Sequence, residues 1–505
     1  MIQHLIVLPI VLPLVAGIVL LRGRGGATRP KRIIGVTATV LLVAISIALV
    51  AQAASGEVTY YALGDWQPPF GIVMVLDRLS ALMVLLTSLL ALGCVVFACG
   101  GDDEQGSNFH GLFQWQLMGI NGAFLTGDLF NLFVFFEVLL LASYALLMHG
   151  GGKARIQAGL HYVVLNLAGS ALFLIAVGVL YGATGTLNMA DMAQRLASLP
   201  AERAGLVSAG GLMLLVVFGL KAAILPLYFW LPKAYAAAPA PVAALFAIMT
   251  KVGIYAILRV YHLVFGDQAG ALAALDQPWV WWLALGTLVM ATLGVLSARD
   301  LRLLVAYLVL ISVGTLLAGI GMRSEAATAA LLFYLPHTTL VTGGLFLLAE
   351  LIGKQRGKAG TRIVKGRPLY NASLLGVLFL LGGAAVAGLP PLSGAIGKAL
   401  LMQAASAEQQ LWLWPLLLLA GLGSLVALSR AGSTFFWRSH EGEPSGQSLA
   451  KRQLFGVTWL LAAAPLLVVL AGPVSDYAQA TAEQLGEPAV HIRALLPETT
   501  DGDEA

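Results

Sequence analysis

Fourteen long apolar stretches divide the sequence, and they limit what the chain can fold into more than any other feature. A helix of about 20 residues crosses the roughly 30 Å hydrocarbon core of a bilayer. Only 11% of the residues are charged and 59% are apolar, too little charge to cover a water-facing surface. Because lipid cannot satisfy free backbone groups, we predict an all-α polytopic membrane protein. The predicted spans are 2–21, 32–52, 76–99, 111–127, 129–148, 157–182, 206–230, 239–265, 277–297, 303–322, 326–352, 370–404, 410–430 and 453–475.

Lysine and arginine gather on alternate connections between these spans. If the first connection is cytoplasmic, 20 of the 29 basic residues face the cytoplasm, four face outwards and five lie within spans or at their edges. This asymmetry follows the positive-inside rule. It predicts a bacterial inner-membrane protein with both termini on the outer face. The first connection contributes Arg22, Arg24, Arg29, Lys31 and Arg32, and the eleventh contributes Lys354, Arg356, Lys358, Arg362, Lys365 and Arg367.

No pattern in the sequence indicates a cofactor or a metal site. Cys94 and Cys99 are the only cysteines and lie five residues apart in one span, which does not fit metal-ligand spacing. The net charge of +4 comes from the basic connections, so it gives no reason to expect nucleic-acid binding. The acidic tail, 476–505, is predicted to be a disordered outer extension.

Four spans carry a charged residue near their middle: Glu137, Lys221, Lys251 and Lys398. By insertion scales such a charge costs about 2.5–3.5 kcal/mol, so it indicates a functional site. A structural ion pair accounts for one acid and one base, but three lysines cannot all pair with one glutamate. At an effective dielectric constant of about 20, a charge pair 4 Å apart is worth about 4 kcal/mol. Moving Glu137 towards or away from Lys221 would therefore decide whether the lysine keeps its proton.

Helix-breaking residues lie beside two of these lysines. Pro226 and Pro232 follow Lys221, and Gly-Leu-Pro-Pro at 388–391 precedes Lys398. Breaks at membrane depth are tolerated where protein or water satisfies the backbone. We predict broken helices near 221–232 and 388–398, in two repeats that surround an ion path. His337 in the eleventh span is a further candidate proton relay, and a structural histidine bonded to a helix carbonyl is an equal alternative.

The motifs around these residues resemble a known superfamily. Asn-Leu-Phe-Val-Phe-Phe-Glu-Val at 131–138 resembles the fifth helix of the antiporter-like subunits of respiratory complex I, membrane hydrogenases and Mrp-type cation/proton antiporters. Gly-Leu-Lys-Ala-Ala-Ile-Leu-Pro-Leu-Tyr-Phe-Trp-Leu-Pro at 219–232 is similar to the seventh helix. Residues 238–251 are similar to the eighth, and 388–398 to the twelfth. The wording of the seventh and eighth helices, and a length without extra C-terminal helices, resemble the D-subunit family of Mrp multisubunit Na⁺/H⁺ antiporters.

The resemblance implies roles for the buried charges. Glu137 and Lys221 would form a charge-switching pair, Lys251 a central relay, and Lys398 a link to the other half-channel. It also implies a hetero-oligomer with the A, B, C, E, F and G subunits of an Mrp antiporter, which exchanges Na⁺ or K⁺ for protons. Thr342 stands where many relatives have a lysine, and Lys233 where many have an aspartate. The implied divisions are helices 1–3 in 1–110, a first repeat (helices 4–8) in 111–265, a second inverted repeat (helices 9–13) in 277–430, and a last helix in 453–475.

Two other functions remain open from sequence. One is a proton-pumping subunit of complex I or of a membrane hydrogenase, which would be part of a redox-driven translocase. The other is a structural subunit whose buried charges only lock the assembly together. In that case, neutralising Lys251 would destroy the complex rather than its transport.

Overall fold

The computed structural model describes residues 3–22, 28–438 and 449–496. Arg24, counted among the basic residues of the first connection, and the end of the acidic tail, 497–505, lie outside this part of the chain. In the described part, each predicted span overlaps a helix. The all-α polytopic architecture is therefore confirmed, with a single two-stranded sheet among the described residues.

The helices follow one another closely along the chain. The first ten are α1 (Leu8–Arg22), α2 (Thr28–Ala53), α3 (Arg78–Ala98), α4 (Phe109–Leu125), α5 (Leu129–Leu147), α6 (Lys153–Thr184), α7 (Met189–Ala197), α8 (Ala201–Ala222), α9 (Trp230–Ala237) and α10 (Ala240–Leu263). The next six are α11 (Gln277–Ser297), α12 (Leu301–Gly321), α13 (Glu325–Gln355), α14 (Ala372–Ala387), α15 (Ser393–Ala404) and α16 (Ala407–Gly432). The last four are α17 (Lys451–Leu461), α18 (Ala463–Val469), α19 (Ala471–Gly486) and α20 (Pro488–Leu495).

Within the described residues, eleven helical segments are long and apolar enough to cross a membrane. Two further apolar helices, α1 and α14, are shorter, and α4 has 17 residues. A count of fourteen spans stays a prediction. The boundary between the predicted spans 111–127 and 129–148 falls at Thr126–Asp128. There Asp128 caps α5 by accepting a hydrogen bond from the backbone amide of Asn131.

Helices α10, α12 and α13 form the centre of the molecule. The apolar cores of α10 and α13 are buried throughout, and α12 is buried along most of its length. Helices further from this centre, among them α2, α6 and α16, keep many large apolar side chains exposed, as lipid-facing helices do. Lys251 of α10 and His337 of α13 thus lie in protein rather than in lipid.

A β-hairpin and the C-terminal helices cover one end of the bundle. β1 (Thr59–Ala62) pairs antiparallel with β2 (Val73–Leu76). Leu495 of α20 packs with Val58, Val73 and Val75 beneath this hairpin. The prediction of a disordered extension after residue 476 is wrong for 476–495, which are almost entirely helical. α19 packs chiefly against α13, and α20 packs against α7 and the hairpin, so the apolar side chains of this segment are covered by other parts of the chain.

Both described ends of the chain lie on the same face of the molecule. His4, near the start, packs its ring against Tyr61 of the hairpin with 5.5 Å between the ring centroids. Leu495, near the end, packs against the other strand of that hairpin. An even number of membrane crossings therefore separates the two ends.

Candidate functional site

Both predicted helix breaks are present, each beside a buried lysine. α8 ends at Ala222, and Ala223 adopts a left-handed conformation (φ 65°, ψ 47°) before the chain resumes as α9. α14 ends at Ala387, Gly388 is left-handed (φ 88°, ψ 38°), and α15 follows. Lys221 thus belongs to the last turn of α8, at the predicted break.

Neighbouring side chains satisfy the backbone at the first break. The Trp230 indole N–H donates to the Leu220 carbonyl oxygen at 3.0 Å. The Leu225 amide donates to Oγ1 of Thr287, on α11, at 2.8 Å. Since an unpaired backbone group inside the membrane costs several kcal/mol, these two bonds stabilise the interruption that positions Lys221.

Lys221 and Glu137 bond separately to helix α6. Lys221 Nζ donates to Asn166 Oδ1 at 3.0 Å, and Ser170 Oγ donates to Glu137. Lys221 and Glu137 form no ion pair within 4.0 Å. Asn166 and Ser170 are four residues apart, so they share one face of α6. This polar face connects the two charged groups.

The sequence interpretation missed Asn166 and Ser170. Both interrupt an apolar span at helical spacing, which is a signal for a polar stripe that faces other helices. Lys221 is also buried, with its ammonium 5.9 Å from the centre of the Phe136 ring. A small cavity borders Lys221 and Asn166, and its far wall is Met249 and Val252 of α10.

Lys251 lies halfway along α10 and is completely buried. Its Nζ donates to Ser312 Oγ of α12 at 3.0 Å and to Thr250 Oγ1 at 3.3 Å. No carboxylate lies within ion-pair distance of Lys251 among the described residues. Two hydroxyl groups therefore hold this ammonium, and they leave its protonation adjustable because neither carries a charge.

Lys398 bonds to the second break. Its Nζ donates to the carbonyl oxygens of Val386 and Ala387, each at 3.0 Å. These are carbonyls of the last turn of α14, which have no partner within the helix, and the negative end of the helix dipole favours a cation there. Lys398 thus closes a helix end in mid-membrane as well as supplying a titratable group.

His337 lies in α13 opposite the start of α15. Its Nδ1 shares a hydrogen bond of 2.8 Å with Ser393 Oγ, and its Nε2 has no partner among the described residues. Thr342, at the position of the relatives' lysine, donates to the Thr338 carbonyl of its own helix at 2.6 Å. Lys233 is exposed on α9. The buried ionisable side chains at the second break are therefore Lys398 and His337.

A separate polar cluster lies at the C-terminal end of α3, next to Cys99. The ligand-type atoms of Cys99, Asp103 and His110 are within 4.8 Å of one another. Arg32 donates to both carboxylate oxygens of Asp103 at 2.7 Å. Burial raises the pKa of Asp103, but bonds from Arg32 and His110 outweigh it and hold the pKa at about 2. The carboxylate is therefore engaged by a fixed cation, and we assign this cluster to an ion pair.

The sequence profile described as "NADH:quinone oxidoreductase/Mrp antiporter, TM" matches residues 126–423, the region that holds all four buried charges. A protein of Rhizobium meliloti, named as the probable D subunit of a K(+)/H(+) antiporter, is 42% identical over 99% of both chains. The chain belongs to the antiporter D-subunit family. A protein of Bacillus subtilis, named as the D subunit of a Na(+)/H(+) antiporter, is 36% identical over 98% of this chain and 100% of that protein.

Solved structures share the whole fold. A chain in "Structure of Mrp complex from Dietzia sp. DQ12-45-1b" aligns with a TM-score of 0.88 and 26% identity, over 98% of this chain and 100% of that one. A chain of the respiratory complex I of Thermus thermophilus aligns with a TM-score of 0.79 and 27% identity, over 95% and 100%. The overall fold thus occurs in both kinds of complex.

Proposed function

We propose that this chain is the proton-translocating subunit of a multisubunit antiporter that exchanges a monovalent cation, K⁺ or Na⁺, for protons. The observation that carries the proposal is whole-length similarity to proteins named as antiporter D subunits. The chain is then a secondary-transporter component rather than an enzyme. Its partners are the A, B, C, E, F and G subunits of the Mrp complex.

The buried charges form the proton path. In the first half, Glu137 and Lys221 exchange charge through the polar face of α6, since Ser170 and Asn166 lie between them. Lys251 passes the proton to the second half. There Lys398 and His337 lie at the second break and complete the route.

Two inverted repeats, 111–265 and 277–430, build this path. The support is that each repeat has one helix broken at a lysine, α8 near Lys221 and α14–α15 near Lys398. The chain lies in the bacterial inner membrane with both termini on the outer face. The bias of basic residues and the placement of both described ends on one face support this orientation.

The redox-pump alternative has weaker support. A chain of complex I shares the fold at a TM-score of 0.79, whereas the whole-length relatives above are named as antiporter subunits. Fold likeness alone does not distinguish a redox-driven pump from an antiporter.

The test uses everted vesicles that contain the complete complex. Respiration generates a ΔpH, and its dissipation is followed after addition of Na⁺, K⁺ or Li⁺. Each lysine is replaced by arginine and by methionine, and Glu137 by glutamine, with assembly checked on native gels. We expect Lys251→Met to abolish the cation-dependent signal in a complex that still assembles. No cation response from the wild type would overturn antiport, and normal transport by all methionine variants would overturn the proton path.

Lys398 needs its two replacements to separate its roles. Lys398→Arg keeps a cation on the α14 carbonyls, so assembly should survive while proton transfer falls, because guanidinium does not release its proton. Lys398→Met loses both the cap and the proton carrier. If the arginine variant transports normally, Lys398 is a cap alone.

A further inference from the structure

An apolar groove runs between α14 and α16. Its volume is about 570 Å³. Phe379, Leu380 and Leu428 lie along its walls, and small residues, among them Gly376 and Gly383, make its floor. Its only hydroxyl side chains, Ser373 and Ser429, both lie at the end where α14 begins and α16 finishes. The groove is therefore polar at one end and apolar along its length.

The length of the groove matches one leaflet of a bilayer. The residues of α14 that line it run from Ala372 to Ala384. At 1.5 Å per residue this is about 18 Å, close to half of the roughly 30 Å hydrocarbon core. A single extended acyl chain is an occupant of this length and chemistry.

Basic residues lie in the chain segments next to the helix ends that form the polar end. Lys365 and Arg367 precede α14, Arg430 lies in the last turn of α16, and Arg438 follows it. All four are exposed, and none is in an ion pair with an acid of the described residues. Clusters of lysine and arginine at the end of transmembrane helices attract anionic lipid headgroups, at about 1 kcal/mol per residue.

We propose that this groove is a binding site for one anionic phospholipid, whose acyl chain fills the groove and whose phosphate lies against Lys365, Arg367 and Arg438. An anionic lipid fits both the apolar walls and the basic rim, whereas a helix of a partner protein would leave the rim without a counter-charge. The inner leaflet supplies the lipid, because the rim belongs to the basic face of the molecule.

The deep end of the groove adjoins the second break. Ala384 and Leu389 line it, and between them lie Val386 and Ala387, whose carbonyls accept from Lys398. A bound acyl chain would therefore pack against the turn that holds Lys398. An effect of the lipid on Lys398 during transport rests on the proposed function, whereas lipid binding itself does not.

Two glycines allow the groove to be filled without disturbing its walls. A Cβ added at Gly376 would lie 3.6 Å from Phe436, and one at Gly383 would lie 3.6 Å from Leu428, both ordinary contacts. Leucine at either position would occupy the path of the acyl chain. Gly178 on α6 is a matched control, since a Cβ there meets no atom within 4 Å.

The experiment measures phospholipid retained by the purified complex with native mass spectrometry. The complex is delipidated and returned to vesicles of phosphatidylcholine with or without phosphatidylglycerol. We expect one phosphatidylglycerol per complex to be retained by the wild type and Gly178→Leu, and lost from Gly376→Leu and Gly383→Leu. Retention should fall at least tenfold in the Lys365→Gln/Arg367→Gln double variant.

Three outcomes would overturn the site. The wild type would retain no phosphatidylglycerol, the two leucine variants would retain as much as Gly178→Leu, or they would lose a partner protein while keeping their lipid. The last result would make the groove an interface within the complex. Because none of these readouts is transport, failure of the lipid site is distinguishable from failure of antiport.

Discussion

Each buried lysine of the site donates to a neutral partner, and this determines what the site can do. Lys221 bonds to an amide oxygen, Lys251 to hydroxyls and Lys398 to backbone carbonyls. A fixed carboxylate at hydrogen-bond distance would hold the charged form by several kcal/mol at the low effective dielectric of a protein. Neutral acceptors bind an ammonium without adding a compensating charge, which is what the proposed proton relay requires of each lysine.

Asn166 is the residue at which this argument is tested most directly. Asn166→Asp changes the shape little but brings a carboxylate to within hydrogen-bond distance of Lys221 Nζ. A charge pair 4 Å apart is worth about 4 kcal/mol at an effective dielectric constant of about 20. We therefore expect the lysine to stay protonated and antiport in everted vesicles to fall at least tenfold, in complexes that assemble.

The control for Asn166→Asp makes the same change away from the lysines. Asn371 bonds to Gln355 just before α14, and Asn371→Asp adds a carboxylate without touching a buried ammonium. It should leave antiport close to wild type. Normal transport by Asn166→Asp would mean that Lys221 does not release its proton during the cycle.

At the scale of helices, the sequence predicted the spans and the breaks because one physical cause determines each. The thickness of the bilayer fixes the length of an apolar helix. Pro226 lacks the amide that would continue one, and Gly388 readily takes the left-handed conformation that ends α14. Ser312 and Asn166 were not predicted as lysine partners. Neutral polar residues are common in helices, and only the packing of α10 against α12, or α6 against α8, brings them to an ammonium.

The first break depends on a bond from outside its own segment. Thr287→Val keeps the shape of the side chain but leaves the Leu225 amide without a partner in the membrane. An unsatisfied buried donor costs about 1–3 kcal/mol. We expect the thermal unfolding midpoint of the purified complex to fall and transport to weaken with it.

A second threonine on the same helix gives the comparison. Thr292 bonds only to the Leu288 carbonyl one turn earlier, so Thr292→Val removes a bond within α11 and orphans no amide. Its unfolding midpoint should stay near that of the wild type. Equal loss of stability in both variants would show that the break is held by other contacts.

Across the whole molecule, the C-terminal helices cover the end of the bundle that carries the hairpin, which the sequence interpretation failed to predict. The acidic composition of the tail suggested disorder, yet Leu495 and His491 find their partners on distant elements, the hairpin and the start of α3. The composition of a segment indicates whether it can bury enough apolar surface to fold by itself. It does not indicate whether another part of the chain offers a surface on which the segment can pack.

The docking of α20 should depend on pH through His491. This side chain is buried 3.9 Å from Asp77, which is in a two-bond ion pair with Arg259. Burial lowers the pKa of His491 to about 4, and Arg259 adds to the effect. Burial raises the pKa of Asp77, but Arg259 outweighs it and holds the pKa at about 2, so Asp77 stays ionised above that pH.

The sign of the effect follows from these values. The docked state favours neutral His491, whereas an undocked histidine takes up a proton near pH 6.5. Docking stability is therefore complete above pH 6.5 and is lost as the pH falls towards 4. By pH 5 the loss is about 2 kcal/mol, or roughly thirtyfold in the open population.

Hydrogen–deuterium exchange of 488–495 in the purified complex measures this population, after correction for the intrinsic rate. We expect faster exchange at pH 5 than at pH 7 in the wild type and in His161→Gln, an exposed histidine far from the segment. His491→Gln cannot be protonated, so its exchange should not depend on pH. A wild type whose exchange does not depend on pH would overturn the role of His491 in the docking of α20.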